Sequence, residues 1–207
     1  TGAVSWLGYA FRVMYLPIGL FGVSIAAAAL PTVSRHAAHD DFIGMRSTVS
    51  RALRLMLMLN VPATVGLITL SDPIVGLIFE RGSFTAADTT ATAAALLFYS
   101  PGLIGYSAVR IAVPAFYALG NSLTPAFVSM ASVLLNIVLN LILVNVIGYR
   151  GLALGASIAA LVNAVTLLVL LGRRLDGLDF RRLLTAFIKV VCASLIMGLA
   201  VATSHEW

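Results

Sequence analysis

The sequence predicts an all-α polytopic membrane protein with about six transmembrane helices. Hydrophobic residues make up 60% of the 207 residues and charged residues only 10%, whereas about a quarter of an ordinary soluble domain is charged. Six apolar stretches each approach the roughly 20 residues that a helix needs to cross a bilayer. Charged residues lie between these stretches and almost never within them. The alternating segments of about ten residues typical of a membrane barrel do not occur.

The limits of the apolar stretches give the spans, and helices satisfy their own backbone hydrogen bonds in lipid. The predicted spans are Ser5–Leu30, Leu53–Leu70, Ala91–Leu119, Pro125–Ile147, Gly151–Leu171 and Leu183–Thr203. Residues 1–171 are therefore expected to form most of one transmembrane lobe with five helices. Residues 172–207 are expected to add a basic loop and one further helix. The chain opens and closes beside apolar sequence, which suggests a fragment of a longer transporter.

Arginine placement predicts how the spans are oriented. Most of the basic residues fall in segments 31–54 and 172–189, whereas the loops on the other side carry only Arg81 and Arg150. Because loops rich in Lys and Arg remain on the cytoplasmic side, both basic segments should be cytoplasmic and the first residue should be outside. The net charge of +5 then requires no nucleic-acid partner.

Segment 31–54 is expected to be an amphipathic cytoplasmic loop that runs into the second span. Its apolar residues recur at helical spacing from Phe42, with arginine and serine between them, as in helices that lie at a membrane surface. Asp40 or Asp41 would cap the N-terminus of this helix.

The loop 71–88 on the opposite side contains a short apolar piece, Pro73–Phe79, which is too short to span. It is expected to lie at the membrane interface. Thr85 or Ala87 should lead into the next helix, with Asp88 as an acid in its first turn, where the helix dipole favours a negative charge.

Two arginines lie well inside predicted spans, away from the span ends, and are the candidate substrate-binding residues. A charged side chain there costs about 2.5–3.5 kcal/mol on insertion scales. Arg12 could line a water-filled cavity and bind phosphate or carboxylate with its planar fork of donors, or it could extend towards the outer interface. Arg110 faces the same alternatives. It lies nine residues before Leu119, deeper than a usual anchoring residue, but extension towards the cytoplasmic face is still the simpler interpretation.

Asn136 and Asn140 are four residues apart, which puts both amides on one face of the fourth span. Interhelical hydrogen bonding is their ordinary role in membrane helices. Contact of these amides with an ion or with the substrate is the more specific alternative.

Proline and glycine within the spans are candidate hinge residues, because they bend helices and expose backbone groups. The alternative is that small residues let helices pack closely. The candidates are Pro17, Gly19, Gly22, Pro101, Gly102 and Pro114.

The sequence contains no signature of an enzyme. A phosphate-binding glycine loop, a cluster with metal-ligand spacing and a nucleophile with a suitable base are all lacking, and His36 and His39 are explained as surface residues of the basic loop. No cofactor or metal is therefore expected, and a transported ligand is favoured over a transformed one.

Several stretches form an ordered series over most of the chain. They are Tyr9-Ala10-Phe11-Arg12, Leu16-Pro17-Ile18-Gly19-Leu20-Phe21-Gly22-Val23, Leu30-Pro31-Thr32-Val33-Ser34-Arg35, Phe79-Glu80-Arg81-Gly82-Ser83-Phe84-Thr85 with Asp88-Thr89, and Pro114-Ala115-Phe116-Tyr117-Ala118-Leu119 with Thr124-Pro125. Together they resemble the MurJ/MviN family of lipid II flippases.

The resemblance implies a fourteen-helix protein of the superfamily that includes the MATE multidrug exporters, with this chain similar to helices eight to thirteen. Two lobes would surround a cationic cavity and alternate between inward-open and outward-open states. They would carry the undecaprenyl-pyrophosphate-linked peptidoglycan precursor across the bacterial cytoplasmic membrane. The implied partners are lipid II, the phospholipid bilayer, an N-terminal lobe of the same protein, and further cell-wall synthesis or regulatory partners.

The resemblance also assigns residues. Arg12 matches the arginine of the eighth helix that lines the cavity, whereas Phe11 stands where many members have an acid. Asn136 and Asn140 have the spacing of an ion site proposed in some members, but the acid expected near Asn140 is missing. Sodium coupling is therefore not predicted.

Two other functions remain as alternatives. One is an exporter of drugs or polysaccharide precursors from the same superfamily. The other is a non-transporting membrane scaffold whose basic loops bind partners or anionic lipid.

Overall fold

The computed structural model describes residues 2–204, without the side chains of Ala202 and Ser204. The last three residues of the predicted unit 172–207 therefore lie outside the described residues, as does Thr1. Every regular element between residues 2 and 204 is helical. The elements are α1 (Ala3–Pro17), a π-helical segment (Ile18–Val23), α2 (Ser24–Ala38), α3 (Phe42–Thr69), α4 (Ser71–Phe79), α5 (Ala86–Tyr99), α6 (Gly102–Ala118), α7 (Leu123–Ile147), α8 (Tyr149–Arg174) and α9 (Phe180–Ser204).

The all-α fold with about six spans is confirmed. Five helical runs are long and apolar enough to cross a membrane: α1 to α2 as one run, α3, α7, α8 and α9. The pair α5 and α6 makes a sixth crossing, with a bend of 48° between its two halves.

The first span is longer than its sequence predicts. The helical run continues through Pro31 to Ala38, so the expectation of a loop from residue 31 is wrong. Only residues 39–41 connect it to α3, which begins at Phe42, where the amphipathic pattern predicts a helix. The helix continues through Pro31 because a proline inside a helix removes only one backbone hydrogen bond. The other backbone hydrogen bonds are kept where the helix enters the headgroup region. The second basic segment is likewise mostly helical, because α8 ends at Arg174 and α9 starts at Phe180.

The connection between α2 and α3 is fixed by Asp41, one of the two predicted caps. Its Oδ1 accepts a hydrogen bond from the Gly44 N–H at 2.9 Å, and its Oδ2 lies 2.8 Å from His36 Nδ1. The hydrogen bond from Gly44, followed by the hydrogen bond and charge of His36, lowers the pKa of Asp41 below its ordinary value, against a smaller opposing effect of desolvation. The N–H group of α3 that would otherwise lack a partner is thereby satisfied.

The segment after α3 folds as its composition predicts. The short apolar piece becomes α4, whose nine residues are too few to span. Thr85 then begins α5 in a capping box with Asp88: the Asp88 N–H donates to Thr85 Oγ1, and the Thr85 N–H donates to Asp88 Oδ2.

Buried side chains form two hydrophobic clusters, one in each half of the helix bundle. The Met14 cluster joins α1 to α5 and to the first turns of α6 and α8. Its members include Ala10, Met14, Ile18, Leu96, Leu103 and Ala153. The Phe116 cluster joins α3, the second half of α6 and the second half of α8. Its members include Met45, Leu53, Met56, Phe116, Leu167 and Leu171.

The bend between α5 and α6 lies at Pro101, which has no N–H to continue the helical hydrogen bonds. Ser157 of α8 compensates, because its hydroxyl lies 2.7 Å from the Phe98 carbonyl oxygen and 3.0 Å from that of Tyr99. The Ser100 hydroxyl donates to the Leu96 carbonyl in the preceding turn. The carbonyls of Phe98 and Tyr99 beside the bend therefore have a side-chain partner on α8.

Helices α6 and α8 approach closely at Gly105. A Cβ atom there would lie 2.6 Å from the carbonyl carbon of Ala160, a distance that only a backbone shift could relieve. The small residue therefore sets the separation of the two helices.

We expect Gly105→Ala to lower the thermal midpoint of the purified full-length protein that carries this sequence. The added methyl group must separate α6 from α8, an overpacking that costs about 1–3 kcal/mol. Gly66→Ala is the matched control, because no atom lies within 4 Å of a Cβ at that position of α3. Equal midpoints for the two variants would contradict the close approach.

The Asp41 cap predicts a pH dependence. A carboxyl whose pKa is lowered in the folded state stabilises the fold above its unfolded pKa, and this contribution is lost as the pH falls through the folded pKa. We therefore expect stability from Asp41 to disappear below about pH 3.8, the ordinary value of this carboxyl. Thermal midpoints at pH 7 and pH 3 should differ less in Asp41→Asn than in the wild type. Asp40→Asn is the control and should retain the full difference.

Candidate functional site

The first span is anchored at its N-terminal end by polar and aromatic contacts. Trp6 Nε1 donates a hydrogen bond of 2.8 Å to Asp88 Oδ1, and the Trp6 ring lies 5.4 Å from that of Tyr149. The Tyr9 ring packs against Phe79 at 4.8 Å. These contacts set the rotation of α1 about its axis.

That rotation leaves Arg12 on the exposed face of α1, whereas its neighbours Val13 and Met14 are buried. The guanidinium lies 5.8 Å from the centre of the Tyr9 ring. No hydrogen bond or ion pair connects Arg12 to any other side chain among residues 2–204. The side chain lines an open depression of about 570 Å³ together with Phe11, Tyr15 and Leu16.

Arg110 of α6 is exposed and reaches the same depression through Tyr15. Its Nη2 donates to the Tyr15 hydroxyl, and its guanidinium lies 5.9 Å from the centre of the Tyr15 ring. Tyr15 lines the depression together with Arg12, so it connects Arg110 of α6 to the edge of this depression. In the described part of the chain, Arg110 likewise has no acidic partner.

Phe11 packs in an aromatic cluster where many members of the resembled family have an acid. Its ring lies 5.4 Å from Tyr15, 5.7 Å from Tyr99 and 6.3 Å from Tyr106. The half-buried ring supports the wall of the depression and adds no charge to it. The side chain at position 11 therefore contributes packing here and provides no acidic partner for Arg12.

The candidate asparagines lie between α7 and α8. Asn140 Nδ2 donates to Asn136 Oδ1 at 3.0 Å, a bond within α7, and the buried Asn140 Oδ1 has no partner. A Cβ at Gly155 of α8 would lie 2.4 Å from that oxygen. Asn136 and Asn163 also line a cavity of about 260 Å³.

These groups fit a cation site poorly. The amide oxygens of Asn140 and Asn163 are buried without a partner, yet no carboxylate lines the cavity. Within the described residues no group of three or more His, Cys, Asp or Glu could hold a metal ion. Hard cations take several oxygen ligands, carboxylates prominent among them.

Five of the six candidate hinge residues lie at two interruptions of the spans, and Pro114 lies inside α6. Pro17 ends α1, and Gly19 and Gly22 lie in the π-helical segment, a feature that is frequent at functional sites. A Cβ at Gly22 would lie 3.0 Å from Ser107 Oγ of α6, so this glycine also permits close packing.

The second interruption is the 48° bend of the third span. Pro101 and Gly102 lie at the bend, where a Cβ on Gly102 would lie 2.8 Å from Ser157 Oγ. Pro114 lies inside α6, which continues through it to Ala118.

Sequence reasoning missed two residues that shape the site. Tyr15 was one of several tyrosines in the spans, and only the fold shows that it accepts a hydrogen bond from Arg110. Ser157 lies in a run of small residues, and no local pattern links it to carbonyls 58 and 59 residues earlier in the chain.

The family model described as lipid II flippase MurJ matches residues 1–207. A probable lipid II flippase MurJ of Rickettsia prowazekii is 38% identical over 162 residues, which are 78% of this chain and 32% of the relative. A probable lipid II flippase MurJ of Vibrio cholerae is 37% identical over 81% of this chain and 32% of the relative. One from Haemophilus influenzae is 31% identical over 97% of this chain and 40% of the relative.

The fold is similar to a solved lipid II flippase MurJ in its inward closed conformation. The TM-score is 0.85 at 31% identity, and the match covers 99% of this chain and 41% of that one. The chain therefore spans about a third to two fifths of the length of these relatives. With a family model matched over its whole length and a six-span fold of the same kind, the chain belongs to the lipid II flippase MurJ family.

Proposed function

We propose that this chain is part of a lipid II flippase, which translocates the undecaprenyl-pyrophosphate-linked peptidoglycan precursor across the bacterial cytoplasmic membrane by alternating access. The observation that carries the proposal is the guanidinium of Arg12, which is exposed inside an apolar span without an acidic partner in the described residues. Such a charge is costly in lipid but stable beside water. A water-filled route for an anionic head group accounts for it.

The chemistry of the exposed face suits a pyrophosphate. Arginine presents a planar set of donors that binds phosphate oxygens in pairs, and charge-assisted hydrogen bonds of this kind are the strong ones. Arg12 lines the depression with Tyr15, and Arg110 donates to the Tyr15 hydroxyl, so both cations would act on one diphosphate group bound beside Tyr15. Translocation breaks no bond, so binding and release by these residues is all the chemistry required.

Residues 1–171 would form most of the second transmembrane lobe, and α9 would be an additional helix beside it. The missing N-terminal lobe of the same protein would face the depression around Arg12. The basic segments around Arg35–Arg54 and Arg173–Lys189 would be cytoplasmic, as their charge favours. Lipid II, the bilayer and partners of cell-wall synthesis are the partners that follow from this assignment.

The two helix interruptions would allow the lobe to change shape. The π-helical segment with Gly19 and Gly22 separates α1, which belongs to the Met14 cluster, from α2, which packs on the Phe116 cluster. Pro101 and Gly102 interrupt the third span between the same two clusters. The two halves of the bundle could then tilt relative to each other while each hydrophobic cluster stays packed.

Asn136 and Asn140 would serve the contact between α7 and α8. The hydrogen bond between their side chains and the close approach at Gly155 support a packing role. A cation at this position would need oxygen ligands from outside residues 2–204.

We predict that Arg12→Ala abolishes rescue when the full-length protein carrying it is expressed in flippase-depleted bacteria. Loss of a hydrogen bond to a charged group costs about 1.5–3 kcal/mol, or roughly 10- to 150-fold in affinity for the diphosphate. Arg12→Lys should rescue partly, because it keeps the charge but loses the paired donors. Membrane abundance is checked by immunoblot, with Arg150→Ala as the control on the surface.

Full rescue by Arg12→Ala at normal abundance would contradict the flippase assignment and favour a scaffold. Rescue by neither wild type nor variant, at normal abundance, would favour an exporter of another substrate.

A second prediction concerns Tyr15. Tyr15→Phe removes the hydroxyl that accepts from Arg110 but keeps the aromatic ring, so the fold should persist while Arg110 loses its fixed position. We expect a several-fold lower rate of lipid II translocation in vesicles. Tyr117→Phe is the matched control, because Tyr117 is an exposed tyrosine of α6 without a hydrogen bond from its side chain. Equal rates for both variants would exclude a role for the contact between Tyr15 and Arg110.

A further inference from the structure

A groove of about 280 Å³ runs between α2 and α3, away from the depression around Arg12. Its walls are mostly apolar, and three polar side chains lie among them. The apolar residues are Ile25, Ala28, Ala29, Ala52 and Leu55, and the polar ones are Thr32, Thr48 and Arg51.

The groove is ordered along the membrane normal. Helices α2 and α3 are consecutive and joined by residues 39–41, so residues equally far from the joint lie at similar depth. Thr32 and Thr48 are each about 9 Å from the joint, whereas Ile25 and Leu55 are each about 20 Å from it, at a rise of 1.5 Å per residue. The hydroxyl groups therefore lie nearer the membrane surface, and the apolar end points into the bilayer.

The polar end of the groove contains hydrogen-bond donors without a partner among the described residues. Within the described residues, neither the Arg51 guanidinium nor the hydroxyls of Thr32 and Thr48 form a hydrogen bond or an ion pair. Arg51 is exposed, and its side chain is long enough to extend towards the surface. By contrast, Arg54 one turn later is half-buried and donates from Nε to the Ser50 carbonyl.

We propose that this groove binds an anionic phospholipid of the leaflet that contacts the basic segments. The phosphate accepts hydrogen bonds from Arg51 and the two threonines, and one acyl chain lies along Ala28, Ala52 and Leu55. Charge complementarity selects a lipid with net negative charge, because the exposed Arg35 belongs to the same end of the bundle as Arg51, whereas Arg46 is paired with Asp179. Basic residues near a membrane surface favour anionic lipid.

The lipid is distinct from the transported molecule. Arg12 lies about 30 Å along the first span from Thr32, the polar residue of α2 in the groove. A single lipid headgroup cannot contact both sites. The apolar wall also distinguishes a lipid from free phosphate, which would gain nothing from it.

The test uses the full-length protein carrying this sequence, purified in detergent and titrated with dioleoyl phosphatidylglycerol or dioleoyl phosphatidylcholine, with retained lipid counted by native mass spectrometry. We expect the wild type to retain phosphatidylglycerol at least tenfold more tightly. Arg51→Gln should reduce that preference about tenfold, whereas the matched control Arg54→Gln should stay within twofold of the wild type. Thr32→Val with Thr48→Val, which keeps the side-chain shape, should give an intermediate loss, and thermal midpoints establish that each variant is folded.

Three results would overturn the proposal. Equal losses in Arg51→Gln and Arg54→Gln would mean that general surface charge binds the lipid. Equal retention of the two lipids would mean that only the acyl chains bind. Loss of phosphatidylglycerol in Arg12→Ala as large as in Arg51→Gln would place the lipid in the depression around Arg12.

Discussion

The need to satisfy backbone hydrogen bonds in an apolar medium is the constraint on which the structure depends. It makes every span a helix, and it determines how the one sharp bend is tolerated. Pro101 breaks the ladder of the third span, and the Ser157 hydroxyl accommodates the carbonyls of Phe98 and Tyr99. Without that compensation, unsatisfied carbonyls in lipid would each cost several kcal/mol. The bend between α5 and α6 therefore depends on the contact between α5 and α8.

The same balance of costs explains the exposed arginines. A guanidinium in the middle of a span is stable only if water, an anion or an aromatic ring faces it. Here Arg12 lies against Tyr9, and Arg110 lies against Tyr15, while Phe11 packs against Tyr15 and Tyr99. The rings contact both cations without supplying an acidic partner. A site built in this way attracts an anion and can release it again, as the proposed translocation requires.

Hydropathy and span length predicted about six crossings and an apolar piece too short to span where α4 lies, and residue type predicted a cap at Asp40 or Asp41 and a first-turn acid at Asp88, because these are local features of sequence. The end of the first span was placed at Leu30 instead of Ala38, since charged residues in a helix that leaves the bilayer resemble a loop. The contact between Tyr15 and Arg110 could not be predicted. It joins residues 95 positions apart, and their pairing depends on how α1 rotates against α6.

The most direct test of the account asks whether Arg12 faces water. In a variant of the full-length protein from which native cysteines are removed, Arg12→Cys is treated in cells with a charged, membrane-impermeant thiol reagent, beside Leu134→Cys on the exposed apolar face of α7. The account predicts rapid labelling at position 12 and no labelling at position 134. An excess of a substrate analogue that occupies the site should slow the labelling at position 12. Absence of labelling at both positions would place Arg12 against lipid or protein and contradict the water-filled route.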